Sequence, residues 1–177
     1  ELTKKYSPTA PFIFMSTNKV YGDNPNRLNI YEKSTRWELK KSDKNYKGIK
    51  ENFSIDNATH SFFGVSKTYA DLIVQEYGKN IGLKTVCFRG GCITGPNHSG
   101  ATLHGFLSYL VKASLNQKKY SLIGYKGKQV RDNLHSYDLV NSFWEFYKKP
   151  KNGEVYNMGG GRYSNCSIIE ALDYVEK

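Results

Sequence analysis

Short apolar runs separated by stretches of helical periodicity constrain this chain more than any other feature. The runs are Pro11-Phe12-Ile13-Phe14-Met15, Thr85-Val86-Cys87-Phe88, Tyr120-Ser121-Leu122-Ile123 and Glu154-Val155-Tyr156-Asn157. The first two lack alternation, as strands buried on both faces do. The third alternates polar and apolar residues, the pattern of a half-buried strand. Between them, Val65, Tyr69, Leu72, Ile73, Tyr77 and Ile81 recur at helical spacing, and Gly82 supplies a stop. Leu103, Phe106, Leu107, Leu110, Val111 and Leu115 form an amphipathic stripe. Leu139, Val140, Phe143, Phe146 and Tyr147 form another, closed by Pro150. Ser167 and Glu170 make a capping box ahead of Ile168, Ile169, Leu172 and Val175. Strands alternating with helices predict an α/β fold with a largely parallel sheet. Residues 23–59 break the alternation. They are rich in Asn, Lys, Ser and Asp and read as an extended loop, functional or mobile at that length.

The chain has 177 residues, enough for one ordinary domain with a sizeable core. Lys and Arg number 26 against 16 Asp and Glu, a formal charge of +10. That excess favours an anionic partner, whether a nucleotide-sugar diphosphate, a nucleic acid or an acidic surface, and fits a plain basic surface equally well. A nucleic-acid partner is not expected, because the nearest basic block, Lys40-Lys41, is diluted at once by Ser42-Asp43. Cys87, Cys92 and Cys166 are too few and scattered for a disulfide framework, and no Cys/His spacing suits zinc, so no metal site is expected. Reduced thiols, with no apolar run approaching a membrane span and no signal-peptide pattern, fit a soluble cytoplasmic protein.

The residues able to carry chemistry cluster after the strands. Ser16-Thr17-Asn18-Lys19-Val20-Tyr21-Gly22 follows the first, where parallel sheets place ligands; alone it reads as a Ser/Thr turn. Phe63-Gly64-Val65-Ser66-Lys67 opens a helix and has the frame of a Tyr-x-x-x-Lys dehydrogenase pair, with a phenyl ring where the acid–base phenol belongs. In such a pair the phenol, pKa about 10 when free, is acidified by a Lys one turn away. Arg89-Gly90-Gly91-Cys92 permits close backbone approach to a ligand, or is simply a turn. Cys92 has no His/Asp partner by spacing that would make it a nucleophile. The stretch from Gly124 to Asp138 includes Arg131, whose planar fork suits a diphosphate; alone, Arg131 and Asp132 read as a surface ion pair. Gly159-Gly160-Gly161 is not a dinucleotide fingerprint and reads as a structural loop.

In this order and spacing, the motifs together resemble the extended short-chain dehydrogenase/reductase family, the NAD-dependent sugar-nucleotide epimerases and dehydratases. Ser16 to Asp23 and Gly127 to Asp132 look most like its CDP-tyvelose/CDP-paratose 2-epimerase branch. The resemblance covers nearly the whole chain and implies a partial, doubly wound Rossmann-like sheet with part of a smaller substrate-binding region. It places the end of the NAD domain in residues 1–92 and most of the substrate region, interleaved with late Rossmann elements, in 93–177. It assigns Thr17 to the reacting sugar hydroxyl, Phe63 to the catalytic Tyr position and Lys67 to the nicotinamide ribose. Gly90 and Gly91 fall beside the nicotinamide. Asn18 and Cys92 fall at the sugar, Cys92 where many relatives carry Asn. His104 and Arg131 fall at the diphosphate. The family's opening strand and G-x-x-G-x-x-G do not occur, so an internal fragment is expected, with weak or no NAD binding of its own. A homodimer through the helix near Gly64 is plausible on the same grounds. The loss of the phenol leaves a catalytically silent sugar-nucleotide-binding protein as the rival reading, and a 4-epimerase or 4,6-dehydratase as the nearest enzymatic alternative. Asn18, where a dehydratase carries an acid, argues against dehydration.

Overall fold

The computed structural model describes residues 1–101 and 104–176. Leu103, part of the expected amphipathic stripe, lies outside the described residues. In chain order the elements are α1 (Leu2–Tyr6), β1 (Phe12–Thr17), β2 (Ile30–Glu32), β3 (Trp37–Leu39), α2 (Phe62–Lys79), β4 (Thr85–Gly90), β5 (Cys92–Thr94), α3 (Phe106–Leu115), β6 (Val130–His135), α4 (Ser136–Lys148), β7 (Glu154–Met158), α5 (Gly161–Ser164), β8 (Asn165–Ser167) and α6 (Ile168–Val175). The expected α/β, Rossmann-like fold is observed. Contacts divide the chain into two compact units. The first comprises Glu1–Arg27, Lys50–Gly90 and Asp138–Met158; the second comprises Leu28–Ile49, Gly91–Tyr137 and Gly159–Lys177.

The first unit is built on a parallel sheet in the order β1-β4-β7. Its central strand, β4, is buried along its whole length, as an unbroken apolar run in a parallel sheet must be. Val86, Phe88 and Phe146 form the core, with Ile13, Met15, Phe143, Tyr156 and Met158 packed around them. The Phe88 ring stacks on Tyr156 at 5.9 Å and meets Phe146 edge-on at 6.3 Å. Burying side chains of this size contributes about 1.5–3 kcal/mol each.

Helix α2 begins where Ser61 accepts a hydrogen bond from the Gly64 amide at 3.1 Å, a serine N-cap. Gly64 is needed for contact, since a Cβ there would lie 3.1 Å from the Lys19 carbonyl oxygen. The face that α2 buries carries Gly64, Asp71, Val74, Gln75 and Gly78. The apolar stripe read from the sequence points outward instead. Phe62 is 98% exposed and Tyr69 70%, and Val65, Leu72 and Ile73 are exposed beside them.

In the second unit β5 pairs parallel with β6, and β6 pairs antiparallel with β8. Residues 23–59 are not one extended loop: β2 and β3 form an antiparallel hairpin inside them. Ion pairs and side-chain bonds hold it. Arg162 makes a two-pronged bond to Glu38 at 2.8 Å, Lys128 pairs with Glu32 at 2.6 Å, and Ser167 donates to the Thr35 carbonyl at 2.6 Å. The hairpin is invisible to hydrophobic periodicity because polar contacts carry it. The expected strand at Tyr120-Ser121-Leu122-Ile123 does not form. Leu122 and Ile123 are exposed, and the Tyr120 ring packs on Tyr109 at 5.7 Å, so alternation there reflects local packing without a ladder partner. The capping box of α6 is present as read. Among the described residues no helix is long and apolar enough to cross a membrane.

Candidate active site

Strand β1 ends at Thr17, at the carboxyl edge of the parallel sheet where α/β folds bind ligands. Its hydroxyl accepts from the Lys19 amide at 3.2 Å and donates to Asn18 Oδ1 at 3.4 Å, so it caps the 3-10 turn Asn18–Tyr21. A hydroxyl has two lone pairs, and one remains for a ligand. Gly90 stands directly opposite Thr17 in the sheet register. Lys67 reaches the same strand end and donates to the Met15 carbonyl at 3.0 Å, its ammonium 5.0 Å from the Phe14 ring. Thr17, Asn18 and Gly90 are thus neighbours, and Lys67 is bonded to β1 two residues before Thr17. Phe63 sits one turn before Lys67 on α2, with its ring 55% exposed. His60 is tied down: Nε2 lies 3.0 Å from the Ile55 carbonyl and Nδ1 3.3 Å from that of Lys19.

Beneath this strand end lies a buried polar network that motif reading missed. Arg89 on β4 grips Asp71 on α2 with Nη2 to Oδ1 at 2.8 Å and Nε to Oδ2 at 3.1 Å. Ser16 donates to Asp71 at 2.5 Å, and Gln75 donates to Asp71 at 2.7 Å. Arg89 also donates to the Tyr21 hydroxyl at 2.9 Å and the Glu51 carbonyl at 3.0 Å, and Tyr21 donates to Asn157 at 2.7 Å. Burial works to raise the Asp71 carboxyl, but the bonds from Arg89, Ser16 and Gln75 outweigh it and hold it below the usual carboxylate range. Cys87, whose thiol lies 3.4 Å from the Asp71 carbonyl, is pushed up to about 12 by burial and then by the Asp71 charge, and stays an unreactive thiol. The signal for this network was an arginine closing a continuously buried strand, which demands a buried partner.

The second unit carries the other expected site residues. Gly91 joins β4 to β5. Cys92 lies on β5 opposite Asn133 of β6, two residues beyond Arg131. Strand alternation sends Arg131 and Asp132 to opposite faces, so they form no pair. Asp132 accepts from the Gly161 amide at 2.8 Å, and a Cβ on Gly159 would lie 1.9 Å from Asp132 Oδ2. The glycine triplet is therefore packed against the Asp132 carboxylate. Burial raises the Asp132 carboxyl, with the Gly161 and Gly160 amides opposing. The exposed Arg131 side chain donates to its neighbour's carbonyl, Val130 O, at 3.2 Å, and no carboxylate pairs with it among the described residues. His104 is exposed and meets His98 edge-on at 5.8 Å. Among the described residues no group of three or more His, Cys, Asp or Glu is placed to hold a metal ion.

For NAD, Lys67 and the Thr17–Gly90 strand ends are the residues that would meet the nicotinamide ribose. The amides of Gly160 and Gly161 face Asp132, so that turn does not present them to a phosphate.

The chain is 29% identical to a CDP-paratose 2-epimerase of Salmonella typhi, over 99% of the chain and 52% of that protein. It superposes on a dTDP-glucose 4,6-dehydratase of Bacillus anthracis, solved in complex with NAD, with a TM-score of 0.74 and 28% identity, covering 98% of the chain and 47% of the other. It also matches a Tyr-to-Phe mutant of a Bacillus cereus UDP-glucuronic acid 4-epimerase, solved with UDP-4-deoxy-4-fluoro-glucuronic acid and NAD, with a TM-score of 0.64 and 25% identity, over 94% of the chain and 44% of the other. The chain thus spans about half the length of these relatives. A family model, the NAD dependent epimerase/dehydratase family, matches residues 1–159. Because that match takes in most of the chain, the chain belongs to the NAD dependent epimerase/dehydratase family.

Proposed function

We propose that this chain is the sugar-facing portion of an NAD-dependent nucleotide-sugar epimerase of the CDP-paratose 2-epimerase type. The observation that carries this reading is the bond from Lys67 on α2 to β1, two residues before the strand-end Thr17. When bound, NAD supplies a hydride acceptor for a sugar carbinol. Thr17 would hold the reacting hydroxyl through its remaining lone pair, and Lys67 would place a positive charge beside the ribose and that hydroxyl. Arg131 would bind the diphosphate through its exposed fork. The test is turnover of CDP-paratose and UDP-glucose by the full-length protein, read by product chromatography. Conversion of the CDP sugar supports the subtype. Conversion of the UDP sugar alone would replace it with a 4-epimerase, and 4-keto-6-deoxy products with a dehydratase.

The phenyl ring of Phe63 specifically favours a second reading, a homologue that binds nucleotide sugar without turning it over. Binding does not require the phenol's proton, and a related epimerase carrying a Tyr-to-Phe mutation is solved with both ligands. Calorimetric binding of the nucleotide sugar with no turnover decides for this reading.

Arg131→Ala is expected to weaken nucleotide-sugar binding roughly tenfold or more, since a charge-assisted pair contributes about 1.5–3 kcal/mol. Unchanged affinity, with circular dichroism intact, would remove Arg131 from the site.

The outward apolar face of α2 suits a second copy of the chain. Phe62, Val65, Tyr69 and Leu72 are exposed on this helix, and apolar side chains left in water favour burial against the same patch of a second copy. Leu72→Glu is expected to weaken the dimer at least tenfold, because each buried side chain of this kind contributes roughly 2 kcal/mol and occurs in both copies. Light scattering across a dilution series measures it. A wild-type monomer at every concentration would sink the proposal.

A further inference from the structure

We infer that the buried Asp71–Arg89 pair is the positioning element that sets Thr17 against Lys67. This rests on the dehydrogenase-type reading of those two residues. The pair holds each segment that carries them. Asp71 lies one helical turn beyond Lys67 on α2. Its Oδ2 accepts from Ser16, the residue immediately before Thr17, at 2.5 Å. Arg89, the residue before Gly90, donates to the Tyr21 hydroxyl at 2.9 Å, and Tyr21 ends the turn that Thr17 caps. Thr17 is therefore fixed on both sides, and both fixings run through one ion pair whose other end is the helix of Lys67. Ser16, Tyr21, Asp71 and Arg89 are all at most 5% exposed, so no water relaxes the geometry.

An ion pair of this kind is a poor device for stability alone. Apolar residues of similar volume often do as well or better, whereas they cannot hold a hydroxyl at a fixed angle. The bonds from Ser16 and Tyr21 use the directional capacity of the carboxylate and the guanidinium. Neither residue touches substrate in this scheme; both act through Thr17 and Lys67.

The experiment compares full-length wild type, Asp71→Asn and the double variant Asp71→Leu with Arg89→Met. Lys67 acylation by acetic anhydride is followed by peptide mass spectrometry, with exposed Lys148 as internal reference, and kcat and KM are measured on the best nucleotide sugar. A displacement of ~1 Å at a reacting group costs about 10²-fold. Both variants are therefore expected to lose about that factor in kcat, with KM within about twofold. The Lys67-to-Lys148 labelling ratio should change by at least about threefold in both. The double variant separates positioning from stability. If it melts at the wild-type temperature yet keeps the altered Lys67 labelling and low kcat, the pair positions the site. If it restores wild-type labelling and kcat, the pair is only structural and the inference is overturned. If Asp71→Asn does not fold, the double variant alone decides in the same terms. If wild type turns over no nucleotide sugar, the functional reading falls, and Lys67 labelling still decides the positioning. An unchanged ratio in folded double variant rejects it.

Discussion

Phe63→Tyr in the full-length protein is expected to raise nucleotide-sugar turnover by at least tenfold. The substitution adds one oxygen to a half-exposed ring in the first turn of α2, so it meets no packing obstacle. The new phenol stands one turn before Lys67, whose ammonium lowers a neighbouring phenol from its free value of about 10. General acid–base catalysis typically contributes about 10²–10⁴-fold, and a gain at the low end or just under it is expected where Lys67 and Thr17 are already placed. The measurement is product formation from CDP-paratose and UDP-glucose by parent and variant. High turnover with Phe63 in place would assign the proton to another group. His60 is a poor candidate, because both its ring nitrogens lie against backbone carbonyls. No turnover by either form, with ligand bound, would establish the silent-binding reading.

Asp71→Ala is expected to destabilise the protein by about 3–5 kcal/mol at pH 7, because it strands the Arg89 guanidinium in the interior. Its effect should depend on pH. The folded-state Asp71 carboxyl sits below its unfolded value, so the unfolded chain takes up the proton first on acidification. The stability that Asp71 contributes is therefore present above about pH 4 and is lost as pH falls through its lowered folded-state value. Asp132 has the opposite sign. Burial raises its folded-state carboxyl, so acidification relieves a penalty there before it touches Asp71. Urea midpoints of wild type and Asp71→Ala at several pH values between neutrality and strong acid measure this. The gap between them should be wide at pH 7 and narrow below about pH 4. Equal midpoints at pH 7 would show that the ion pair carries no weight.

What the sequence determined by itself follows from periodicity and from local chemistry. The unbroken apolar character of residues 86–88 suits a strand covered on both faces, and β4 is buried throughout. The Ser167–Glu170 spacing specifies a helix start wherever it occurs, and α6 begins there. The Phe63–Lys67 spacing places both residues on one helical face, and a strand ending at Thr17 presents that residue at the ligand edge of a parallel sheet. Those relations span few residues, so no distant partner can change them.

The tertiary structure decided whatever depends on what lies opposite. Val65, Tyr69 and Leu72 have the period of a buried stripe, yet α2 buries Asp71, Val74 and Gln75, because β4 offers Arg89 as a partner for Asp71. The β2–β3 hairpin is written in charges such as Glu38 and Arg162, which are 124 positions apart in the chain. Arg131 and Asp132 read as a pair in sequence, and the pleat of β6 sends Asp132 to the glycine turn instead. Apolar burial is non-directional and leaves a periodic trace in one segment. A buried hydrogen bond or ion pair is directional and needs two segments, so neither segment alone reveals it.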